Sequence, residues 1–262
     1  MTSHRPLKKF GQNFLTQPAI AKKIVESLEV TEEDAVIEVG PGPGALSAFI
    51  HDKTPAYYMA IEIDTRWADQ LRARYDEKIE IVSEDFLKFD LSCIYQKYPS
   101  VKVIGNIPYN ITSPILFKLL DAHMHIRSSV IMMQKEVAQR IVAQPNCKAY
   151  GILSVLMQTF ATPRLLFDVN RKNFMPVPRV DSSIIRFDYI AQVAELIDPQ
   201  LFRKVVRSAF NQRRKMLRNS LSRIFDRSIV YSVSSVDIER RPDNLTRDEF
   251  KILANELSEI TR

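Results

Sequence analysis

Five short apolar runs alternate with longer mixed segments between residues 35 and 134, and this alternation limits the possible folds more than any other feature. The runs cover residues 35–39, 57–61, 79–82, 101–105 and 129–133. Each run is short enough for a strand, and each intervening segment is long enough to contain a helix. Strands that alternate with helices form βαβ units, in which the strands run parallel. The alternation therefore predicts an α/β fold with a parallel, doubly wound sheet.

The pattern of the chain changes near residue 190. A helix candidate lies before that point, at residues 151–160. Two further strand candidates follow it, at residues 164–169 and 183–189, and could close an edge of the sheet. After residue 190 the chain shows helix signals, including the start Asp198-Pro199 and a capping box that begins at Thr246. We therefore expect a larger domain over residues 1–190 and a smaller, all-helical domain over residues 191–262.

Composition places the chain in a broad class. With 262 residues, of which 45% are apolar, it can bury a full core and add a second, smaller domain. No apolar run approaches the roughly 18 residues that span a bilayer, and the first residues lack the apolar stretch of a secretion signal. Cys93 and Cys147 are isolated from each other and from any His-rich spacing, which argues against a disulfide or a zinc site. We expect a cytoplasmic protein with no metal and no membrane partner.

Positive charge is concentrated in one segment. Residues 203–227 contain nine basic residues and one acid, so this segment carries +8, while the rest of the chain carries −2. Such a distribution is typical of a module that faces a polyanion, although a solvated helix face remains the alternative. The segment lacks the interleaved acids of an ordinary ion-paired helix, which favours nucleic acid. The candidate contacts are Arg207, Arg213, Arg214, Lys215 and Arg218.

Three successive strand candidates end in groups that suit a nucleoside. The first leads into a glycine loop that contains Gly40 and Gly42, where the backbone can turn sharply and approach a ligand closely. Its G-x-G-x-G spacing differs from the dinucleotide fingerprint and favours a ligand without a pyrophosphate. Glu62 follows the second strand at the distance expected for a carboxylate that binds ribose hydroxyls. Asp85 follows the third, where it could accept the amino group of an adenine.

The fourth strand candidate leads into the tetrapeptide Asn-Ile-Pro-Tyr at residues 106–109. The side-chain oxygen of Asn106 and the carbonyl of Pro108 could accept the two hydrogens of a planar exocyclic amine. Tyr109 could stack on the same base, and Phe174, in a proline-rich segment, could cover its other face. A buried core position is the alternative for Phe174. The tetrapeptide thus predicts the place where an amino group of a base is held for reaction.

Four further motifs complete a family resemblance that covers nearly the whole chain. They are Lys-Phe-Gly-Gln-Asn-Phe-Leu at residues 9–15, Phe-Met-Pro-Val-Pro-Arg-Val-Asp-Ser at 174–182, Ala-Phe-Asn-Gln-Arg-Arg-Lys at 209–215 and Arg-Pro at 241–242. With the glycine loop and Asn-Ile-Pro-Tyr, these make the chain similar to class I S-adenosylmethionine-dependent methyltransferases, and within them to ribosomal RNA adenine dimethyltransferases. The resemblance implies a Rossmann-like methyltransferase sheet.

The resemblance also implies roles for single residues. Gln12, Asn13 and Leu15 would close over S-adenosyl-L-methionine from the N-terminal segment. Gly40 and its loop neighbours would hold the methionine part, and the carboxylates after the second and third strands would hold ribose and adenine. Asn106 would contact both cofactor and target base. The basic helical segment would then bind RNA.

The implied activity is dimethylation of the N6 amino groups of two adjacent adenosines in the hairpin loop near the 3′ end of small-subunit ribosomal RNA. The partner would be this RNA or the 30S precursor particle, the role would include small-subunit biogenesis, and the protein would be monomeric. A large-subunit adenine methyltransferase of the resistance type is one alternative, and Asn-Gln-Arg-Arg-Lys at residues 211–215 favours the small subunit over it. A ribosome-assembly factor without catalysis is a second alternative, and a small-molecule methyltransferase is a third.

Overall fold

The computed structural model describes residues 6–7 and 11–261 and contains a seven-stranded sheet and a separate two-stranded sheet. The strands are β1 (Phe14–Leu15), β2 (Ala35–Val39), β3 (Tyr57–Ile61), β4 (Glu80–Val82), β5 (Val101–Asn106), β6 (Ile126–Gln134), β7 (Ala161–Val169), β8 (Phe174–Met175) and β9 (Ser182–Tyr189). The helices are α1 (Pro18–Glu26), α2 (Ser47–His51), α3 (Thr65–Tyr75), α4 (Ser92–Tyr95), α5 (Thr112–Asp121), α6 (Lys135–Ile141), α7 (Ile152–Phe160), α8 (Pro199–Asn211), α9 (Leu217–Leu221), α10 (Arg227–Ser232) and α11 (Arg247–Ile260).

The large sheet has the strand order β4-β3-β2-β5-β6-β9-β7. The pairs from β4 to β6 are parallel, as the alternation predicted, and β9 joins β6 antiparallel. The chain moves outward from β2 to β4 and then returns to place β5 beside β2, so the direction of winding reverses between these two strands. Ligands of open α/β sheets bind at the carboxyl ends of the strands beside such a reversal.

The burial of each strand explains its pattern of apolar and polar residues in the sequence. All five residues of β2 are buried, so its sequence shows no alternation of apolar and polar residues, and Glu38 alone interrupts its apolar run. The two late strand candidates are present as β7 and β9. However, β9 lies inside the sheet between β6 and β7, and β7 forms the edge. The edge position agrees with the burial pattern of β7, most of whose residues are at least partly exposed.

The two-stranded sheet was not predicted. In it β1 pairs antiparallel with β8, with Leu15 opposite Phe174 and Phe14 opposite Met175. Thr16 extends the contact, because its backbone N–H and its hydroxyl both donate to the carbonyl of Asn173, at 2.9 and 3.0 Å. Two-residue strands are too short to show any periodicity. The pairing holds the Gln-Asn-Phe-Leu segment against the Phe-Met-Pro segment.

The chain forms two compact units. One contains the described residues up to Ala138 together with Pro163–Ala191, and the other contains Gln139–Thr162 together with the chain from Gln192 onward. The second unit therefore includes residues 139–162, which the sequence analysis assigned to the first domain. The physical reason is the apolar helix α7, which packs against α8 and α11. The division into domains at residue 190 stays a prediction.

In the helical unit, side chains cap the N-termini of α8 and α11, and aromatic rings pack between the helices. The Asp198 side chain accepts hydrogen bonds from two backbone N–H groups at the start of α8, and Thr246 forms the predicted capping box of α11. Inside the unit, the ring of Phe160 packs edge-on against Phe202, and the ring of Phe210 packs against Phe250. The helix start signals in the sequence are thus confirmed.

Candidate functional site

A cavity of about 350 Å³ lies at the carboxyl ends of the parallel strands, beside the reversal between β2 and β5. It is lined by residues 11–15, 38–43, 45–46, 61–63, 84–87, 106–111 and 115. The structure therefore brings together nearly all of the predicted cofactor and catalytic residues: Gln12, Asn13, Leu15, Gly40, Gly42, Glu62, Asp85, Asn106, Pro108 and Tyr109. Their roles toward a ligand stay predictions. Phe174 does not line the cavity.

The glycine loop needs glycine for two different reasons. Gly40 and Gly42 have φ angles of +65° and +54°, which L side chains rarely adopt. A Cβ on Gly42 would lie 2.7 Å from the Phe14 ring, whereas a Cβ on Gly40 would meet no protein atom within 4 Å. Gly40 is therefore favoured by its backbone angle alone and borders open space, whereas Gly42 also leaves room for the N-terminal segment.

Glu62 fixes the glycine loop from the next strand. Its side chain is buried, and its two carboxyl oxygens accept the backbone N–H groups of Gly42 at 2.9 Å and Asp64 at 2.8 Å. Burial raises the pKa of Glu62, while these two hydrogen bonds act to lower it. Each carboxyl oxygen has a second lone pair, so the group can hold the loop and also accept ligand hydroxyls.

Gln12 is held by an ion pair that the sequence analysis did not identify. The guanidinium of Arg66 binds both carboxyl oxygens of Asp64, at 2.9 and 2.7 Å, and holds the pKa of that carboxyl at about 2. The Gln12 side-chain nitrogen donates to the same carboxylate at 3.0 Å, and its oxygen accepts the Leu7 N–H at 2.8 Å. The Gln12 amide thus anchors the N-terminal segment where it covers the cavity.

Asn106 is oriented by the backbone of the same segment. Its side-chain nitrogen donates to the carbonyl oxygen of Asn13 at 2.9 Å. This contact uses the donor end of the amide, so Oδ1 is the end that can accept a ligand hydrogen. Close by, the Tyr109 hydroxyl lies 2.7 Å from the hydroxyl of Ser182, and burial raises the pKa of Tyr109. The polar side chains of Asn106 and Tyr109 are therefore both held by hydrogen bonds within the protein.

Pro108 and Phe174 already make contacts within the protein that differ from the base contacts predicted for them. The Pro108 carbonyl already accepts the Ile111 N–H at 3.2 Å and, at 3.4 Å, the hydroxyl of Thr112. Phe174 is only 2% exposed and belongs to the apolar core, opposite Leu15 in the two-stranded sheet. Phe174 thus occupies a buried core position, which the sequence analysis gave as the alternative to stacking on a base. Stacking of Phe174 on a base stays a prediction that would require its ring to leave the core.

A lysine that the sequence analysis missed holds the loop that carries Asp85. The Asp85 side chain accepts the N–H of Leu87 at 2.9 Å. Lys118, on α5, donates to the carbonyl of Leu87 at 3.1 Å and to that of Phe89, and its ammonium lies 5.2 Å from the centre of the Phe86 ring. Burial lowers the pKa of Lys118. No sequence signal links Lys118 to this loop, because some thirty residues separate them.

Glu38 is a second missed residue and lies in the wall of the cavity. It is 1% exposed and accepts hydrogen bonds from the hydroxyls of Ser47, at 2.7 Å, and Tyr58. Burial raises the pKa of Glu38 to about 7, although both hydrogen bonds act to lower it. The sequence signal was present, since Glu38 is a charged residue inside a fully buried strand.

The basic residues predicted to contact nucleic acid divide into two groups. Arg213 donates to the carbonyls of Lys148 and Cys147 at 2.6 and 2.9 Å, and the Arg218 guanidinium pairs with Glu239 at 2.8 Å. The other three, Arg207, Arg214 and Lys215, are exposed. Arg213 and Arg218 thus have structural contacts within the helical unit. Their binding to RNA stays a prediction, as it does for the others.

Residues 6–7 and 11–261 contain neither a metal-binding cluster nor a membrane-spanning helix. Within these ranges no group of three or more His, Cys, Asp or Glu residues could hold a metal ion. Nor does the described part of the chain contain a helix that is long and apolar enough to cross a membrane.

Comparison with known proteins identifies close relatives in sequence. The family described as ribosomal RNA adenine dimethylase matches residues 3–259. A protein named ribosomal RNA small subunit methyltransferase A from Prosthecochloris aestuarii is 44% identical over 247 residues, which cover 94% of this chain and 92% of that protein. A protein of the same name from Alkaliphilus oremlandii is 38% identical over 263 residues, which cover 96% and 91%.

Two solved structures share the fold over most of the chain. The dimethyladenosine transferase from Plasmodium falciparum superposes with a TM-score of 0.78 at 24% identity, covering 94% of this chain and 98% of that one. The 23S rRNA methyltransferase ErmE superposes with a TM-score of 0.70 at 25% identity, covering 94% and 100%. These likenesses extend through both compact units.

Proposed function

This chain belongs to the ribosomal RNA adenine dimethylase family, and we propose from that premise that it dimethylates the N6 amino groups of two adjacent adenosines in small-subunit ribosomal RNA. The observation that carries the proposal is the orientation of Asn106. Its amide nitrogen is bound to the Asn13 carbonyl, so Oδ1 is left to accept a hydrogen from an amino group at the cavity. An aromatic ring, Tyr109, lines the same cavity.

The cavity residues fit S-adenosylmethionine as the methyl donor. The space beside Gly40, which a Cβ would enter, suits the methionine part. The buried carboxylate of Glu62 suits the ribose hydroxyls, and Asp85 with the neighbouring Phe86 suits an adenine. The G-x-G-x-G spacing of the loop differs from the dinucleotide fingerprint, which argues against a dinucleotide. When bound, this cofactor supplies a methyl group on a positively charged sulfur, which is a good leaving group.

The protein's task in the reaction is to position a weak nucleophile. The lone pair of an adenine amino group is delocalised into the ring, so the nitrogen must become more tetrahedral to react. Asn106 Oδ1 accepts one of its hydrogens and thereby favours that geometry. The Pro108 carbonyl could accept the other by replacing its long contact with the Thr112 hydroxyl, which spans 3.4 Å. Catalysis then depends mainly on orientation and on fixed dipoles, and the proton leaves to solvent.

Tyr109 holds the base through its ring. Stacking of a base on an aromatic side chain contributes about 1–3 kcal/mol, which offsets much of the free energy needed to extrude the base from a loop. The hydrogen bond between the Tyr109 and Ser182 hydroxyls holds the outer end of this side chain in place.

Small-subunit RNA is the proposed substrate because relatives that are 38–44% identical to this chain are named as small-subunit methyltransferases. The large-subunit enzyme ErmE shares the fold at only 25% identity. The experiment is methylation of purified small and large subunits with labelled S-adenosylmethionine, followed by mass spectrometry of the nucleosides. We expect N6,N6-dimethyladenosine in small-subunit RNA only. Methylation of the large subunit alone would overturn the proposal.

A ribosome-assembly factor without catalysis is the second candidate. It would bind RNA but not S-adenosylmethionine, so calorimetric titration with the cofactor separates the two functions. We expect binding, because Gly40, Glu62 and Asp85 line one cavity. We further propose that the protein acts as a cytoplasmic monomer on a 30S precursor particle, where catalysis and a role in assembly can coexist. Methylation of naked RNA at the rate seen with the particle would argue against the particle as substrate.

A further inference from the structure

The helical unit contains a second concave surface, a basic cleft of about 550 Å³ whose cationic lining residues are Arg203, Lys204, Arg207 and Arg223. We propose that this basic cleft binds the phosphodiester backbone of RNA and that Lys204 and Arg223, two residues outside the five predicted contacts, supply phosphate contacts there. The inference rests on the proposed function, because it takes RNA as the substrate. It adds a defined site with two new residues.

The first wall of the basic cleft is the polar face of α8. The buried face of this helix presents Phe202, Val205, Val206, Ala209 and Phe210 to the core of the helical unit. The opposite face presents the lining residues Gln200, Arg203, Lys204, Arg207 and Asn211, and the buried Ser208 also lines the cleft. Successive turns of an α-helix rise about 5.4 Å, so the cations of this face form a row along the helix. A row of cations suits a chain of phosphates better than a single anion.

The second wall is the turn that follows α9. It contributes Arg223 and Ile224 to the lining. The buried hydroxyl of Ser208 donates to the carbonyl of Ser220 at 2.9 Å and so joins α8 to the end of α9. The backbone N–H of Arg223 donates to the same carbonyl at 3.4 Å. The two walls are therefore held together by the fold and do not depend on a ligand.

Charge defines the ligand of the basic cleft. Its described lining has four cations, two amide side chains, a hydroxyl and an aliphatic residue, and no carboxylate among them. Lys204 and Arg223 are exposed and form no ion pair with any residue in the described ranges. By contrast, Arg213 and Arg218 are engaged by carbonyls and by Glu239. A concave surface whose charged side chains are all positive attracts a polyanion. Its cations release counterions when phosphates bind.

The test compares the double variant Lys204→Gln/Arg223→Gln with the wild type. Binding of a small-subunit RNA fragment is measured by fluorescence anisotropy between 50 and 200 mM salt. Because each phosphate contact contributes about 0.9 to the salt slope, the slope of log K against log salt should fall by about 1 to 2. Affinity at low salt should fall roughly tenfold or more. Lys204→Gln alone should give about half of the change in slope.

The matched control is Lys53→Gln/Lys97→Gln, which removes the same charge from two exposed lysines in the sheet-containing unit. Both lie shortly before the starts of β3 and β5, so they are at the sheet edge opposite to the cavity. We expect the control to keep the wild-type slope. An unchanged slope in the cleft variant, or an equal change in the control, would overturn the proposal.

Two further readouts separate this proposal from the proposed function. Thermal unfolding should show equal stability of all variants, because the substituted side chains are exposed. Calorimetric affinity for S-adenosylmethionine should also be equal. If wild-type protein fails to methylate small-subunit RNA but the cleft variant shows the expected smaller salt slope, the proposed function falls and the basic cleft stands. If methylation is observed and the salt slope is unchanged, the basic cleft falls and the function stands.

Discussion

The cavity at the sheet edge and the basic cleft of the helical unit use polar side chains in opposite ways. In the cavity, functional groups are already bonded to the protein: Asn106 donates to Asn13, and Glu62 accepts from the glycine loop. In the cleft, Lys204 and Arg223 form no ion pair within the described chain. Methyl transfer requires atoms at fixed positions, whereas attraction of a polyanion requires only charge of one sign at sufficient density.

The same difference appears between two adjacent residues of the basic segment. Arg213 donates to two carbonyls and lies 3.5 Å from the Asp243 carboxylate, so it holds the fold of the helical unit. Arg214, the next residue, is exposed. Charge alone does not reveal which basic residues face the solvent and which ones serve the structure. The comparison therefore predicts large, residue-specific effects at the cavity and small, additive effects at the cleft.

Asn106→Ala should have the largest effect. The variant loses the oxygen that we propose accepts a hydrogen from the amino group, and removal of one such fixed group typically lowers kcat by about 100-fold or more. Cofactor affinity should fall much less. Single-turnover kinetics and calorimetry measure the two quantities, and equal losses in both would contradict the role given to Asn106.

Gly42→Ala should come next, as a loss of cofactor affinity of about tenfold or more. An L residue at this positive φ costs roughly 1–2 kcal/mol, and its Cβ would press on Phe14. Gly151→Ala is the matched control, because Gly151 has extended backbone and no atom within 4 Å of a new Cβ. Similar losses in both variants would show that the loop geometry is not what matters.

Lys118→Met should weaken cofactor binding roughly fivefold to tenfold. The variant keeps the aliphatic stem but removes two hydrogen bonds to the loop that carries Asp85, each worth about 1 kcal/mol or more. Lys88→Met is the control, since Lys88 is an exposed lysine of the same loop. RNA affinity should not change in either variant. If Lys118→Met binds the cofactor as tightly as wild type, the loop does not depend on Lys118.

Glu38 should make a smaller contribution that depends on pH. Its pKa is about 7 in the folded protein against an ordinary value of 4.5, so the folded state binds the proton more tightly than the unfolded state. This group therefore makes the free energy of unfolding fall as pH rises from about 4.5 to 7. Glu38→Gln removes that fall. Urea unfolding at pH 5 and pH 8 measures it, and an equal pH dependence of wild type and variant would contradict the assignment.

Much of the site could be predicted from the sequence because parallel strands bring their carboxyl ends to one edge. Once residues 35–39, 57–61 and 101–105 were identified as strands, Glu62 and Asn106 had to lie near the glycine loop. The two-stranded sheet could not be predicted, because two residues carry no periodicity. Nor could the buried position of Phe174, since a rigid, proline-rich segment does not indicate which way an aromatic ring points.

The amino-acid sequence is sufficient to predict the order of the strands along the chain, the groups that follow them and the position of the basic segment. These are local properties, which depend on periodicity, on turn residues and on charge. The hydrogen-bond partners are known only from the folded chain: Asn13 for Asn106, Arg66 for Asp64, the Asp85 loop for Lys118 and two carbonyls for Arg213. Most of these contacts join residues that are far apart in the chain, and their geometry exists only after the core has packed.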